Sequence, residues 1–416
     1  MAAMALGPGM GLAQPAYTLP PDKLAKAEAL ARIRTVLYFG DAVWGLAVLW
    51  LLLETGVAAR LAAWIEQHTR HRAVQGLQFF AVLLVVLSLA DLPIGAYAHW
   101  VSLQYGISVQ GWGSWLVDLG KALALTVGLG APILLLFHWI VRKAPRRYWL
   151  WGWAAAVVLM VIGALIEPLG EPIFNKFEPL AKSNPALIAK LEKVVARTGT
   201  SIPPERMYLM KASLKTNGLN AYVSGIGATK RVVVWDTTAG RIPDDEVLFI
   251  FGHESGHYVL RHIPKGLALG AVSMLLVFWL CARLADWLVR RRGARWGASS
   301  LSARSGFVVL LLVAAVANFA LEPVDNAFSR HFEHEADVYG QEAVHGIVAD
   351  PQQTAVRAFN DLGAAWLETP TPGPFIVWWS YSHPSIPARA EFARGYDPWA
   401  NGGHGRFFAS DEQTTR

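Results

Sequence analysis

The stretch Asp244-Asp245-Glu246-Val247-Leu248-Phe249-Ile250-Phe251-Gly252-His253-Glu254-Ser255-Gly256-His257 reads as one helix. Pro243 stands at its start, and the acidic residues that follow sit where the helix dipole favours negative charge. Val247, Leu248, Ile250 and Phe251 give it an apolar face, and Pro264 is expected to end or kink it after roughly five turns. Helical residues four apart share a face, so His253 and His257 can point at one metal ion. Glu254 is then placed to activate a water at that metal. Two histidines on a core helix can also be satisfied structural residues; Glu254 between them favours the metal.

Around this helix the chain is apolar. Its 416 residues are 54% hydrophobic and only 16% charged, with mean hydropathy +0.32. Soluble domains carry about 25% charged residues. The apolar residues fall in runs long enough to cross a bilayer, at about Thr35–Leu53, Leu77–Tyr97, Leu119–Val141, Tyr148–Ile166, Leu267–Val289 and Ser305–Leu321. Trp100, Trp139, Trp151 and Trp287 lie near span ends, as in an aromatic belt. The expected architecture is mainly α, a polytopic helical membrane protein carrying an α+β metallopeptidase domain. The net charge of +6 does not indicate nucleic acid, because the basic residues cluster in short loops beside the spans. Anionic headgroups of the lipid bilayer are their natural partners. The single cysteine, Cys281, excludes a disulfide within the chain and a Cys-rich metal site.

The pattern divides the chain at 22/23, 167/168, 263/264, 322/323 and 398/399. Residues 1–22 read either as the tail of a signal peptide or as an N-terminal arm. Residues 23–167 hold four spans. Residues 168–263 change character to a soluble α+β segment, with an amphipathic helix from Pro185 to Arg197. Its expected strands are Arg206–Lys211, Leu219–Ser224 and Arg231–Asp236, with a turn at Gly225-Ile226-Gly227. A two-span hairpin, 264–322, interrupts the catalytic domain, which resumes over 323–398 and ends in a tail, 399–416.

A catalytic zinc takes three protein ligands and keeps one position open. The segment Ser329-Arg330-His331-Phe332-Glu333-His334-Glu335-Ala336-Asp337 offers the third. On a helix Glu333 and Asp337 share a face, Arg330 lies one turn earlier, and Glu335 points roughly the other way. Glu333 is thus the candidate ligand, Asp337 a carboxylate behind the ligands, and Arg330 a cation to hold them. His331 and His334 are alternative ligands, but neither lies with both Glu333 and Asp337. A solvated charged helix is the plain alternative. An extended substrate needs an edge strand to pair with. Leu219–Ser224 is the candidate, with Asn220, Ala221 and Tyr222 as substrate-binding residues; a turn-flanking Asn is the simpler account of Asn220.

Together these motifs resemble the integral-membrane CAAX prenyl proteases of type 1, zinc metallopeptidases of the gluzincin kind. The resemblance includes Glu171-Pro-Ile-Phe-Asn-Lys-Phe-Glu-Pro-Leu180 and Asn220-Ala-Tyr222. It continues through Lys230-Arg-Val-Val-Val-Trp-Asp-Thr237, Tyr381-Ser-His-Pro384 and Arg389, and runs in order from about Tyr17 to Tyr396. It implies one catalytic Zn2+ on His253, His257 and Glu333, with Glu254 as proton shuttle. It also implies His383 as a donor to the developing oxyanion and Arg389 as a buttress or a carboxylate's partner. Read alone, His383 and Arg389 could be ordinary surface groups. The implied substrates are peptides or proteins, prenylated ones among them, and the implied architecture encloses a chamber among the spans. Eukaryotic members carry an additional first span and a longer loop before the metal helix.

Charge predicts orientation. The loops after spans one, three and five are rich in Arg and Lys, whereas residues 98–118 carry none, so the basic end is expected in the cytoplasm. The catalytic segment would then face outward, in a bacterium the periplasm; Lys23, Lys26, Arg32 and Arg34 weigh toward the opposite, cytosolic orientation of the eukaryotic members. Competing functional readings are a membrane-protein quality-control protease without CAAX specificity, a transporter, and an inactive scaffold. The intact Glu254 speaks against a scaffold, and the ordered motifs in the polar segments speak against a transporter. Oligomeric state is not legible.

Overall fold

In the computed structural model, which describes residues 14–225 and 227–408, fourteen α-helices surround one small sheet. The signal-peptide reading of 1–22 falls largely outside these residues, as does Ile226 of the expected turn. The first helices are α1 (Pro21–Glu54), α2 (Val57–His68), α3 (Arg72–Gln104), α4 (Trp112–Lys143) and α5 (Tyr148–Phe174). All but α2 are long and apolar enough to cross a membrane, as are α10 (His262–Trp296) and α11 (Arg304–Ala343). Among the described residues six helices thus qualify, in agreement with the six spans read from the sequence. A loop was expected between the first two spans; instead α2, an amphipathic helix, packs Ala58, Ala62 and Ile65 inward.

The bundle core is built from Leu53, Phe79, Phe80, Ala285, Phe307 and Val308, all 3% exposed or less. Outward, residues such as Val36, Leu169 and Val272 are more than two-thirds exposed, apolar surface that belongs against lipid.

The soluble part forms a four-stranded sheet in the order β1-β2-β4-β3. The strands are β1 (Phe177–Pro179), β2 (Met207–Met210), β3 (Ala221–Ser224) and β4 (Arg231–Trp235). β2 and β4 pair in parallel, and β1 and β3 flank them antiparallel. The three expected strands are present; β1 is an addition too short to carry a periodic signal. The short helix α6 (Leu180–Ser183) leads into α7 (Pro185–Thr198), whose N-terminus is capped by Asn184 and which ends on left-handed Gly199. After β4 come α8 (Asp236–Ala239) and the metal-motif helix α9 (Asp244–Val259). α7 and α9 bury Leu187, Leu191, Val247 and Phe251 against Val232 and Val234 of the sheet.

Two expectations about helix ends are corrected. Pro264 does not end α9: the helix stops at Val259, Arg261 turns left-handed (φ 58°), and Pro264 sits in the first turn of α10. A proline is tolerated there because first-turn amides lack intrahelical partners. Nor does the sixth span end before the polar helix that follows. α11 runs unbroken for 40 residues, through Pro323, and carries the bilayer span directly into Glu333 and Asp337. The chain closes with α12 (Pro351–Trp366), α13 (Pro374–Ser380) and α14 (Ile386–Gly395).

Candidate metal centre

α9 and α11 cross at glycines. A β-carbon on Gly340 would come within 2.7 Å of the His253 backbone nitrogen, and one on Gly252 within 3.1 Å of the Gly340 carbonyl. The crossing brings Glu333 over the two histidines. His253 Nε2 lies 3.2 Å from His257 Nε2 and 3.2 Å from Glu333 Oε2, and His257 Nε2 lies 3.5 Å from Glu333 Oε1. Tetrahedral coordination at about 2.0–2.2 Å separates ligand atoms by about 3.3–3.6 Å, so the donor set fits a metal of that size. Glu333 Oε2 is buried, with only the imidazole nitrogens of His253 and His383 near it, as a ligand atom would be. Among the described residues no other trio of His, Cys, Asp or Glu converges in this way.

Behind the trio, Asp337 Oδ1 lies 2.9 Å from His253 Nδ1. Asp337 also takes two hydrogen bonds from Arg389, Nε to Oδ2 at 2.9 Å and a terminal nitrogen to Oδ1 at 2.5 Å. Arg330 is not the cation that holds these carboxylates. Its guanidinium donates to the carbonyls of Val377 (3.1 Å) and Tyr381 (2.6 Å), pinning the segment that carries His383. The end of α13 leaves unpaired carbonyls there, whereas Asp337 is already served by Arg389. His383 Nε2 reaches 3.3 Å from Glu333 Oε2, and its side chain stays 55% exposed. His331 is exposed and lies 3.9 Å from Glu335, and His334 packs on Phe392, so neither joins the trio.

Glu254 is on the same helix, and the backbone of Val223 in β3 is its hydrogen-bond neighbour. β3 is the outer strand of the sheet, so one edge of it is unpaired. The Asn220 carbonyl accepts from the Trp235 amide, which sets the alternation: Ala221 and Val223 turn their main-chain groups to the open edge. The Asn220 side chain is exposed. The Tyr222 hydroxyl is committed to Glu171 at 2.9 Å, on the sheet face away from α9.

Sequence reasoning missed two residues. His262 Nδ1 lies 3.1 Å from His257 Nδ1, and His262 Nε2 lies 3.3 Å from Glu335 Oε2. Arg406 closes this chain onto Glu335 at 2.8 Å, and the backbone amides of residues 406–408 are held by the buried Glu342 carboxylate. One tautomer set satisfies every link, with His257 donating to His262 and His262 to Glu335. The signal was a histidine five residues past His257, just beyond the helix end. Partners behind a metal-binding histidine typically contribute 10–100-fold in metal affinity. Glu335→Ala is therefore expected to weaken metal binding by about that factor, measured as release to a chelator from protein kept well below its melting temperature. Metal release at the wild-type rate would sink this role.

Burial lowers the pKa of His253, but Asp337 and Glu333 outweigh it and raise it to about 10. Burial and the His253 charge press His257 down to about 3, so it is neutral. Burial pushes Glu254 up to about 7, with Glu333 adding to the rise. A metal needs His253 deprotonated, whereas Asp337 and Glu333 favour its protonated form in the metal-free protein, so binding must expel that proton. Metal affinity is expected to fall at least about tenfold per unit as pH drops from 8 to 6. Calorimetry in buffers of different ionisation enthalpy should show at least one proton released per ion. No buffer dependence would contradict this.

A His-His-Glu trio able to hold a metal, beside a half-buried carboxylate and an open strand edge, with its glutamate on a helix long and apolar enough to cross a membrane, defines an integral-membrane metalloprotease. The comparisons agree. Residues 181–397 match peptidase family M48, and residues 14–176 match the CAAX prenyl protease N-terminal family, described as five membrane helices. An uncharacterized metalloprotease of Bacillus subtilis, YhfN, is 33% identical over 382 residues, 92% of this chain and 88% of that protein. CAAX prenyl protease 1 of Saccharomyces cerevisiae is 26% identical over 78% of this chain and 73% of its own length. The crystal structure of S. mikatae Ste24p shares the fold, with TM-score 0.76 at 22% identity, covering 90% of this chain and 89% of that one. The chain belongs to peptidase family M48.

Proposed function

We propose that this protein is a zinc-dependent endopeptidase that cleaves membrane-associated peptides, prenylated ones included. The observation that carries the reading is the placement of Glu254 between the His253-His257-Glu333 trio and the open edge of β3. His253, His257 and Glu333 would hold the ion, with Asp337 and Arg389 fixing His253 and with His262 and Glu335 fixing His257. Zinc at this trio would supply the Lewis acid that polarises the scissile carbonyl and acidifies a water. The chain's residues do the rest. Ala221 and the Val223 carbonyl pair with the substrate main chain and lay it along β3, with Asn220 beside it. Glu254 takes a proton from the attacking water and passes it to the leaving amine. His383 donates to the carbonyl oxygen as charge gathers there.

The prenylated class rests on the relatives' name, CAAX prenyl protease 1, together with similarity along most of the chain. The test is hydrolysis of one CAAX-type peptide, farnesylated and unmodified, by zinc-loaded protein in detergent. Preference for the farnesylated form supports the reading. Equal cleavage of both, or of unrelated membrane proteins only, replaces it with general membrane-protein turnover.

We read the peptidase domain as 168–263 and 323–398, interrupted by the hairpin 264–322. We place its metal end outside the cytoplasm, because the Arg-rich loops all lie at the other end of the spans. Ser213 is exposed at the metal end and Cys281 is buried, so Ser213→Cys gives one accessible thiol. It is expected to label with an impermeant reagent in intact cells or spheroplasts; labelling only after lysis reverses the orientation.

A further inference from the structure

At the opposite end of the bundle from the metal trio, α2, α3, α4 and the start of α11 enclose a polar cavity of about 600 Å³. Arg304 opens α11 and Glu333 lies 29 residues on, so at 1.5 Å per residue the cavity is about 40 Å from the trio. It is of the size usual for small-molecule sites, roughly 300–1,000 Å³.

Four arginines are among its lining residues. Arg304 is on the floor, its side chain 7% exposed, paired with Glu66 and with Gln75 Oε1 at 2.7 Å. The Arg304 Nε is fully buried and has no partner. Arg70, Arg72 and Arg142 line the same cavity and are exposed to solvent at its mouth. Four guanidinium groups thus face a single carboxylate, Glu66. Like charges gathered in one concavity repel. That repulsion is relieved if an anion with several oxygens occupies the space. Arginine forks match phosphate oxygens in pairs, and basic cavities between transmembrane helices suit phospholipid headgroups.

We propose that this cavity binds a phosphate-bearing anion, held by the exposed guanidinium groups of Arg70, Arg72 and Arg142, with the charge of the buried Arg304 beneath them. The occupant is the headgroup of an anionic phospholipid in the adjoining leaflet. A free organic phosphate offers the same oxygens, so the test separates the two. The site is independent of the metal centre and of the reading of its substrate.

The experiment uses the full chain, delipidated in detergent, titrated with phosphatidylglycerol, phosphatidylcholine or glycerol phosphate. Bound lipid is followed by native mass spectrometry and stability by thermal melting. The expected result is one tightly held phosphatidylglycerol, bound at least tenfold more strongly than phosphatidylcholine, whose choline cation the arginines repel. The double variant Arg70→Gln/Arg142→Gln, changed only at exposed mouth residues, should lose at least tenfold of that binding and keep wild-type peptide hydrolysis. Arg304→Gln should lose it too, but its burial makes the mouth variant the deciding one. Glycerol phosphate binding as tightly as phosphatidylglycerol, and lost in the same variant, would support the phosphate site and assign it to a soluble ligand. Equal retention of the two lipids, or unchanged binding in the mouth variant, overturns the proposal.

Discussion

Glu254→Gln lowers peptide hydrolysis by about 10²–10⁴-fold, the usual contribution of a positioned proton-transfer group, and leaves the metal in place. The substitution keeps the side chain's volume and removes its ability to take a proton from water. None of the three converging ligand atoms belongs to residue 254, so metal content should equal that of the wild type. In the metal-free protein burial pushes the Glu254 carboxyl up to about 7. A cation at the trio pulls it back down and leaves a carboxylate ready to accept at neutral pH. Turnover of a peptide should be measured alongside metal content by atomic spectroscopy. A fully loaded variant that hydrolyses within about tenfold of wild type would remove Glu254 from the chemistry.

Arg389→Ala should cost about 3–5 kcal/mol of stability, the usual penalty for stripping one partner from a buried charge pair. Arg389 is the double donor to Asp337, a residue 2% exposed, and its guanidinium also lies 4.5 Å from the centre of the Phe359 ring. Removal strands the Asp337 charge and loosens the imidazole of His253. A lower melting temperature should therefore come with weaker metal binding. Arg389→Lys should recover little of either, because an ammonium cannot make the paired contact. A variant that melts and holds metal like the wild type would show the pair to be dispensable.

These two residues differ in how far the chain itself exposed them. Glu254 lies inside a local pattern: a helix repeats every 3.6 residues, so His253 and His257 had to share a face wherever that helix packed. The spans were legible for a similarly local reason, since about 20 apolar residues are required by bilayer thickness and by nothing else in the fold. Glu333 and Asp337 were legible as a pair one turn apart. Arg330 had the right spacing beside them, yet it turned to the carbonyls of Val377 and Tyr381, which belong to a segment some fifty residues away. No local rule registers such a competitor.

The metal centre's depth came from contacts distant in the chain. Helical spacing aimed Glu335 away from Glu333, and so away from the metal. The left-handed turn at Arg261 swings His262 around to meet Glu335, 73 residues further on, linking that carboxylate to the back of His257. The close crossing of α9 and α11 depends on Gly340 having no β-carbon where His253 passes, a steric demand visible only with both helices in place. The arginine cavity is of the same kind. Arg70, Arg142 and Arg304 read singly as loop charges beside spans, and they enclose a space only because α2, α3, α4 and α11 end together. Thus periodicity and run length determined the spans, the metal helix and its ligand candidates, because those properties belong to one segment at a time. Packing decided which charge pairs with which, what stands behind each ligand and where a cavity is left, because each of these is a competition among groups that meet only in the folded chain.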